Sequence, residues 1–415
     1  MRAVIITSLQ PSFDGKAQHG TYKRIRLFVN ALRNFCDKIE TVYSVTEEDV
    51  PPYVDLRQAE RDHAETESAY WGTAVSPHFL RRRSRPQSFR HEYIDGIFSS
   101  AEQSPLYRWA GPDQANSIGK LLDTDPDIVV VNNLPSMLAV LRSKRRPRAM
   151  FFDLDDVQHR VRMRQCQQWP IKPGQLLHFA QIPALLVSEI TAARRSKATF
   201  VCSELDRRQL NALGFPRVSV IPNAVPSRPL MSDLTKNPVL LFVGSVGHAP
   251  NAEAATRMVT KIFPVIEAAI PDARLLIVGP GSDSLPCRAG ASPRVEFLGF
   301  INDLASVYAC SRVFVCPMLN GGGTRIKIID AAAYGIPIVS TTMGAEGLDF
   351  VGGQGILLVD DDKAFASSCI EVLQSDPLAL SLRDNAASIM RKFYDATVIE
   401  ETLRMLFYAS TTAAN

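Results

Sequence analysis

The 415-residue sequence lacks the features that mark several common protein classes. It has no uninterrupted run of 18 apolar residues, which predicts no membrane-spanning helix. Its seven cysteines are scattered, odd in number and without CxxC spacing, which predicts reduced thiols in the cytoplasm and argues against a zinc cluster. The opening MRAVIITSLQ is too short an apolar run for a signal peptide. No GxGxxG follows the first predicted strand, which disfavours a dehydrogenase-type dinucleotide site.

Charge is unevenly distributed along a chain whose net charge is +3. Residues 1–225 carry 31 Lys and Arg against 24 Asp and Glu, whereas residues 226–415 carry 15 against 19. A basic first half favours an anionic partner such as a membrane face or a lipid diphosphate, although imbalances of this size are also common in ordinary domains. The basic clusters, RSKRRPR at 142–148 among them, lie apart and accompany no RNA or DNA motif, so no nucleic acid partner is predicted.

Short apolar runs alternate with helical spacing in both halves of the chain, which is typical of parallel sheets covered by helices. Strands are predicted at 2–8, 39–45, 127–131, 149–152, 198–203, 218–222, 239–243, 274–278, 295–298, 312–318, 336–340 and 355–359. Prolines punctuate the segment between the two halves, which predicts a linker there. The predicted fold is α/β, with Rossmann-like domains at 1–225 and 226–385 facing across a cleft. A helical segment at 386–415 is expected to pack back toward the first domain, and residues 50–120 give no clear pattern.

The stretch NGGGTRIKIIDAAAYGIPIV, residues 320–339, combines a glycine turn with the start of a helix. Three glycines allow a ligand to approach the main chain closely, and Thr324 is predicted to cap a helix at 325–334. The free N–H groups and the positive dipole end of such a helix suit a phosphate. Arg325 and Lys327 add two cations, and Asp330 places a carboxylate further along the helix. This pattern predicts a nucleotide-sugar site; a flexible loop beside a solvated charged face is the alternative.

Several phrases spread over residues 239–360 together resemble the retaining glycosyltransferases of GT-B fold, specifically the family-4 group that uses nucleotide-sugar donors. The matching phrases are FVGS…PN at 242–251, VGPG at 278–281, VEFLGFINDL at 295–304, GGGTRIKIIDA at 321–331 and GIPIVSTT…GAEGL at 335–348. The first half matches more loosely, through its β–loop–helix opening, NLP at 133–135 and IPNAV at 221–225.

The resemblance implies a role for individual positions in donor binding. The second carboxylate of the family's Glu-x7-Glu pair, which holds the ribose hydroxyls, falls on Asp330, whereas the first falls on Gly322. The family's basic pair for the diphosphate is missing from residues 245–251, which leaves Arg325 and Lys327 as its expected charge partners. Gly299 and Phe300 are expected to frame the nucleobase. The donor-binding residues predicted in this way are Gly20, Gly244, Ser245, Gly299, Phe300, Gly321, Gly322, Gly323, Thr324, Arg325, Lys327 and Asp330.

Residues near the reacting sugar are also implied by the resemblance. Asn133 stands where the family often has a histidine, and Asp155 and His159 follow a strand end where related enzymes meet a sugar. Helix capping or ion pairing is the alternative explanation for each. The residues predicted to take part in catalysis are Arg325, Lys327, Asn133, Asp155 and His159. Asp153-Leu154-Asp155 has the spelling of a cation motif but not its context, so neither a metal nor another cofactor is expected.

The sequence therefore predicts a retaining, metal-independent glycosyltransferase that acts in cell-surface polysaccharide or glycoconjugate biosynthesis. Its expected partners are a nucleotide-sugar donor and a glycan or lipid-linked acceptor, with peripheral contact at an anionic membrane face. The expected location is the cytoplasm, including the inner face of the membrane. Two alternatives stay open: a GT-B-fold epimerase or phosphorylase, and a binding protein that has kept the fold without the chemistry.

Overall fold

The computed structural model describes residues 1–9, 20–83, 88, 90–104, 106–167, 173–230 and 234–412. The chain divides into two compact units. Unit 1 comprises Met1–Pro222 together with Val398–Asn415, and unit 2 comprises Asn223–Thr397. The division after residue 222 lies three residues before the predicted boundary, and the C-terminal residues that belong to unit 1 begin at 398, within the predicted helical segment 386–415. The loop that precedes Gly20 lies outside the described residues.

Unit 1 is built on seven parallel strands. They are β1 (Arg2–Thr7), β2 (Lys38–Val45), β3 (Val75–Arg81), β4 (Ile128–Asn132), β5 (Met150–Asp153), β6 (Ala198–Val201) and β7 (Val218–Val220). The helices are α1 (Gly20–Leu32), α2 (Leu56–Trp71), α3 (Asp95–Phe98), α4 (Pro112–Leu122), α5 (Leu134–Ser143), α6 (Gln158–Cys166), α7 (Pro173–Ala180), α8 (Ile182–Arg195) and α9 (Glu204–Ala212).

The strand order in unit 1 is β3-β2-β1-β4-β5-β6-β7. The central strands are apolar throughout because helices cover both faces of a parallel sheet. Residues 128–131 are IVVV, and all four are fully buried. β3 falls in the region without a clear sequence pattern. It is an edge strand in which Pro77 lies opposite Thr41, and an edge tolerates a proline that cannot donate to the ladder.

A buried ion pair fastens α1 to the sheet of unit 1. The guanidinium of Arg24 donates to the carboxylate of Asp153 at 2.6 Å, and neither side chain is exposed to solvent. The amide of Asn132 donates to the same carboxylate at 2.8 Å. Burial of an ion pair is tolerated when further hydrogen bonds satisfy its remaining atoms. Arg24 is therefore part of the core, although its charge suggests a surface position.

Unit 2 repeats the architecture with a second parallel sheet. Its strands are β8 (Val239–Val243), β9 (Arg274–Val278), β10 (Val295–Gly299), β11 (Val313–Cys316), β12 (Ile338–Ser340), β13 (Val351–Gly352) and β14 (Gly355–Leu358). The helices of the second half are α10 (Ala249–Arg257), α11 (Phe263–Ala269), α12 (Leu304–Cys310), α13 (Ile326–Tyr334), α14 (Asp362–Gln374), α15 (Asp376–Phe393) and α16 (Ala396–Thr412). α16 begins at the end of unit 2 and lies mostly in unit 1.

The predicted fold class is confirmed: two seven-stranded parallel sheets are each covered by helices. One helical stretch bears on the expectation of no membrane-spanning segment. The stretch Leu176–Arg195, which covers the end of α7 and all of α8, is long and apolar enough to cross a membrane by length and composition alone. A helix packed on a folded domain can pass the same test, so the expectation stays a prediction.

Candidate functional site

The order of strands in unit 2 predicts a crevice beside the glycine turn. The sheet runs β10-β9-β8-β11-β12-β14-β13, so the chain proceeds from β8 in one direction and later resumes on its other side with β11. Loops that leave two such neighbouring strands diverge to opposite faces of the sheet, and ligands of open α/β sheets bind in the crevice between them. Here those loops are residues 244–248 and residues 317–325.

Glycines at the carboxyl ends of β8 and β9 allow the main chains to approach closely. A Cβ atom on Gly279, whose φ is +139°, would lie 2.3 Å from the carbonyl oxygen of Gly244. A Cβ atom on Gly244 would lie 2.8 Å from Nζ of Lys327 and 2.9 Å from Cγ of Asn251. Gly244 therefore leaves the space in which the lysine ammonium sits. Ser245 follows it in the same loop, and its carbonyl is held by Asn251.

Lys327 lies in the first turn of α13 and projects back across β8. Its Nζ donates to Oδ1 of Asn251 at 2.7 Å and lies 4.8 Å from the ring centroid of Phe242. Nδ2 of Asn251 in turn donates to the carbonyl of Ser245 at 2.8 Å. Burial lowers the pKa of Lys327 to about 8, and the positive charge of Arg325 contributes in the same direction. Asn251 thus links the loop after β8 to a cation at the start of α13.

His248 adds a titratable group to the same crevice. It is the residue directly before α10, and burial lowers the pKa of its imidazole, as do the charges of Lys327 and Arg325. Lys327 and Arg325 lower the pKa of His248 because they repel its protonated form, and a site of such like charges favours an anion. Sequence reasoning missed both His248 and Asn251, because a search for Arg and Lys passed over the HAPN phrase that carries them.

Arg325 has a different position from Lys327. Its side chain is buried, and its guanidinium donates to the carbonyl of Gly322 at 2.6 Å and to that of Gly323. Gly321 and Gly323 have φ values of +130° and +63°, which favour glycine, so the guanidinium closes a turn of unusual backbone shape. With its carbonyls directed toward Arg325, the glycine turn is held in one conformation just before α13.

The predicted cap of α13 is wrong. The helix begins at Ile326, the residue before it is Arg325 in an extended conformation, and no side chain caps the helix. The hydroxyl of Thr324 instead accepts a hydrogen bond from Nδ2 of Asn223 at 3.0 Å. An uncapped helix leaves its first N–H groups available to another acceptor. In this structure that helix start lies beside Lys327, at the edge of the crevice.

Asp330 lies one turn after Lys327 on α13 and is half-buried. Its negative charge, after burial, raises the pKa of Tyr308, whose ring stacks on that of Tyr334 with centroids 4.1 Å apart. The carboxylate is therefore beside the aromatic pair formed by α12 and α13. A role of Asp330 toward the ribose stays a prediction.

The end of β10 carries the residues predicted near the nucleobase. Gly299 has a φ of +63°, and its N–H donates to Oγ of Ser282 at 2.9 Å. Its carbonyl accepts from the N–H of Gly279, which joins this loop to the end of β9. Phe300 follows with 43% of its surface exposed. An exposed ring at the carboxyl edge of the sheet is available for stacking.

The residues predicted in unit 1 are mostly engaged in local structure. Asn133 follows β4 with a φ of +66°, donates to Oγ of Ser8 at 2.6 Å and accepts from the N–H of Ser136, so it caps α5. Asp155 accepts from the thiol of Cys202 at 3.0 Å. Gly20 is the first residue of α1. Their roles toward a sugar or phosphate stay predictions.

His159 lies in the interior of unit 1. Its ring is 3% exposed, and Nδ1 is 2.5 Å from Oε2 of Glu189 on α8. The other oxygen of Glu189 accepts the N–H of Gln158 at 2.7 Å, at the start of α6. These contacts join α6 to α8, as expected for the ion-pairing alternative. Among the described residues, no group of three or more His, Cys, Asp or Glu could hold a metal ion.

Comparison with known proteins finds a family match within unit 2. Residues 237–375 match the family model described as glycosyl transferases group 1. This part of the chain is therefore similar to group 1 glycosyltransferases. The matched range contains all seven strands of the second sheet, β8 to β14, the glycine turn and α13. The predicted family resemblance is thereby confirmed on the residues that carried it.

Two curated relatives share part of their length with the chain. A phosphatidyl-myo-inositol mannosyltransferase of Mycolicibacterium smegmatis is 28% identical over 218 residues, which is 49% of this chain and 55% of the relative. An uncharacterized 44.6 kDa protein in the cps region of Klebsiella pneumoniae is 26% identical over 165 residues, which is 38% of this chain and 42% of the relative. The chain thus spans about half the length of the curated relatives it matches.

Solved structures show that the fold of the chain is that of GT-B glycosyltransferases. A sucrose-phosphate synthase of Thermosynechococcus elongatus has a TM-score of 0.69 at 17% identity and covers 100% of both chains. Anabaena HepE, solved with UDP and glucose, has a TM-score of 0.63 at 14% identity and covers 99% of this chain and 100% of its own. At these identities the likeness concerns the fold alone.

Proposed function

We propose that the chain is a retaining glycosyltransferase that moves a sugar from a nucleoside-diphosphate sugar to a hydroxyl acceptor without a metal ion. The observation that carries the proposal is the convergence of Lys327, His248 and the uncapped start of α13 in a part of the chain similar to group 1 glycosyltransferases. The site carries the positive charge of Lys327, and the start of α13 offers main-chain N–H groups that no side chain caps. It is therefore suited to a diphosphate.

The chemistry needs negative charge to be stabilised on the departing diphosphate while positive charge builds on the sugar. Hydrogen-bond donors that are already positioned around the departing diphosphate oxygen lower the activation barrier of the transfer. One such donor is worth about 3 kcal/mol. Lys327 supplies a cation held in place by Asn251, and the start of α13 supplies N–H groups. In retaining enzymes of this type, the leaving phosphate itself takes the acceptor's proton, so no enzymic nucleophile is assigned.

The acceptor is proposed to be a glycan or a lipid-linked hydroxyl compound in the assembly of surface polysaccharide or glycoconjugate. The mannosyltransferase relative acts, by its name, on a phosphatidyl-inositol lipid, and the Klebsiella relative belongs to the cps region. Both matches support a cell-envelope acceptor. The same reasoning proposes a cytoplasmic enzyme that works at the inner face of the membrane.

The proposal is tested by comparing nucleotide binding in the wild type and in Lys327→Met. Affinities for UDP and GDP are measured by calorimetry beside those for uridine and guanosine. If Lys327 binds the diphosphate, the substitution weakens binding of the matching nucleoside diphosphate at least tenfold and leaves its nucleoside unchanged. Lys363→Met is the matched control, because Lys363 is an exposed lysine of the same unit. Equal loss for nucleoside and nucleotide would refute the assignment.

A binding protein without turnover is the second candidate. Gly322 stands where the family has its first carboxylate, and the side-chain amide of Asn133 is already bonded to Ser8 and Ser136. Incubation with a nucleotide sugar and acceptor separates the two candidates. Release of nucleoside diphosphate coupled to acceptor glycosylation supports transfer, whereas tight donor binding with no product from a panel of acceptors supports the binding protein.

A further inference from the structure

An exposed apolar stripe runs along α7 and α8 of unit 1. Leu176 and Val187 have 68% and 62% of their surface exposed, and Phe179 has 38%. Four exposed residues follow one another at helical spacing, four, three and four positions apart: Leu176, Ala180, Pro183 and Val187. This spacing places them on one side of the helical stretch formed by α7 and α8. Between residues 176 and 188 the sequence contains no Asp, Glu, Lys or Arg. We call these residues, with Phe179, the α7–α8 stripe.

The opposite side of α8 is anchored in unit 1. Leu185, Ala192 and Ala193 belong to the hydrophobic core, and Glu189 is completely buried against His159. Only 28% of the apolar stretch within Leu176–Arg195 is buried. The stripe is therefore the outward face of a packed helix. A carboxylate fixed inside the domain by a histidine is incompatible with a helix that leaves the domain to span a bilayer. A surface of this kind can lie on a membrane rather than cross it.

A basic cluster lies at the C-terminal end of the stripe. Arg194, seven residues after Val187, is exposed on the same side of α8. The guanidinium of Arg195 donates to the carbonyl of Leu141 at 3.4 Å, which places the end of α8 beside the RSKRRPR segment at 142–148. Arg145 pairs with Asp123 and Arg148 with Asp125.

Part of that positive charge is not neutralised within the described part of the chain. Lys144, Arg146, Arg194 and Lys197 are exposed, and none of them forms an ion pair with another described residue. Exposed lysines and arginines beside an apolar helix face are attracted to anionic lipid headgroups. Part of the excess positive charge of the first half of the chain therefore lies next to an uncovered apolar face.

We propose that the α7–α8 stripe and the adjoining basic residues Lys144, Arg146, Arg194 and Lys197 form a docking surface for an anionic lipid membrane. The apolar side chains enter the boundary between headgroups and acyl chains, and the basic residues contact the headgroups. This inference deepens the proposed function, since it names the surface that brings the enzyme to a lipid-borne acceptor. Positive charge on the surface favours an anionic bilayer over a second copy of the same positive surface.

The test is sedimentation of the full chain with sucrose-loaded vesicles, without donor or acceptor. Vesicles of phosphatidylcholine alone are compared with vesicles that contain phosphatidylglycerol. The wild type is expected to bind the anionic vesicles and to lose binding as salt is raised. Val187→Asp is expected to weaken the partition coefficient about tenfold, because it sets a charge in the apolar stripe. The double variant Lys144→Ser with Arg146→Ser is expected to weaken binding to the anionic vesicles alone.

Val398→Asp is the matched control, because Val398 is an exposed valine on the surface of another helix, with 51% of its area accessible. Its vesicle binding is expected to equal that of the wild type, and circular dichroism melting confirms that each variant is folded. Equal binding by wild type and Val187→Asp would overturn the proposal. So would a concentration-dependent dimer, detected by light scattering and abolished by Val187→Asp, since a second copy would then occupy the stripe. Nucleotide affinity is measured separately, so failure of the donor site and failure of the membrane surface are distinguishable.

Discussion

Raising the pH from 7 to 9 should weaken binding of a nucleoside diphosphate through one group, Lys327. Its ammonium has a pKa of about 8 because it is buried beside β8, with Arg325 nearby. Only the protonated form attracts the diphosphate, so affinity should fall above pH 7 as the ammonium releases its proton. At pH 9, one unit above that pKa, about one molecule in eleven carries the charge, so affinity should be about tenfold lower than at pH 7.

The phosphates of the ligand change charge little in this window, because a terminal phosphate has its second pKa near 6. The nucleobase loses a proton toward the alkaline end of the range, and the nucleoside measured beside the nucleotide corrects for that change. His248 changes charge on the acid side, since its pKa is lowered from the ordinary value of 6.5. The alkaline limb of the binding curve therefore reports on Lys327.

The assay is calorimetric titration with the nucleoside diphosphate at half-unit intervals from pH 7 to 9.5, with the nucleoside as reference. Buffers of different ionisation enthalpy should reveal uptake of a proton on binding above pH 8. Lys327→Arg keeps its charge over this range, so its affinity should be independent of pH. A wild-type affinity for the nucleoside diphosphate that, relative to the nucleoside, stays level to pH 9.5 would contradict the reasoning.

Stability of the free protein should change in the opposite direction over the same range. The native pKa of Lys327 lies below the ordinary value of 10.5, so the unfolded chain binds more protons than the native state between pH 8 and 10.5. Its contribution to stability therefore rises with pH in that interval. The melting temperature of the wild type should therefore rise relative to that of Lys327→Met as the pH increases from 8, whereas general alkaline damage would lower both alike.

Two further substitutions, one in each unit, test a lysine contact in unit 2 and a buried ion pair in unit 1. Gly244→Ala sets a Cβ 2.8 Å from Nζ of Lys327. The resulting loss of a charge-assisted hydrogen bond, worth about 1.5–3 kcal/mol, should weaken nucleoside diphosphate binding in calorimetry and change the melting temperature little. Unchanged affinity would show that the ammonium can move aside. Asp153→Asn leaves the buried guanidinium of Arg24 without its carboxylate and should lower the unfolding free energy of unit 1, measured in urea, by about 3–5 kcal/mol. The control Glu401→Gln, which breaks an exposed ion pair, should match the wild type. Equal urea midpoints for all three proteins would contradict the role of the buried pair.

Much of the fold could be predicted because buried parallel strands are continuous apolar runs. The predicted bounds of 239–243 and 274–278 are those of the observed strands. β3 could not be predicted in the same way, because an edge strand alternates in burial and accommodates Pro77, His78 and Arg81. Local periodicity is informative where both faces are covered. It weakens at the edges of a sheet, where one side of a strand has no partner strand.

Residues whose partners are distant in sequence could not be placed from local patterns. Arg24 is charged and helical, which suggests solvent exposure, yet its carboxylate partner Asp153 lies 129 residues further along the chain. His159 follows a strand end, a position typical of ligand contacts, but Glu189 from α8 holds it in the interior. The fold decides each case through a contact between elements that sequence spacing does not reveal.

The two cations at the start of α13 show why residue type alone did not fix the site. Residues two apart at a helix start project to different sides. Arg325 projects toward the glycine turn, where the carbonyls of Gly322 and Gly323 accept its hydrogen bonds. Lys327 projects across β8 to Asn251. Arg325 therefore shapes the turn and Lys327 places charge at the crevice, so the rigidity of the anion site and its attraction for an anion depend on different residues of one helix start.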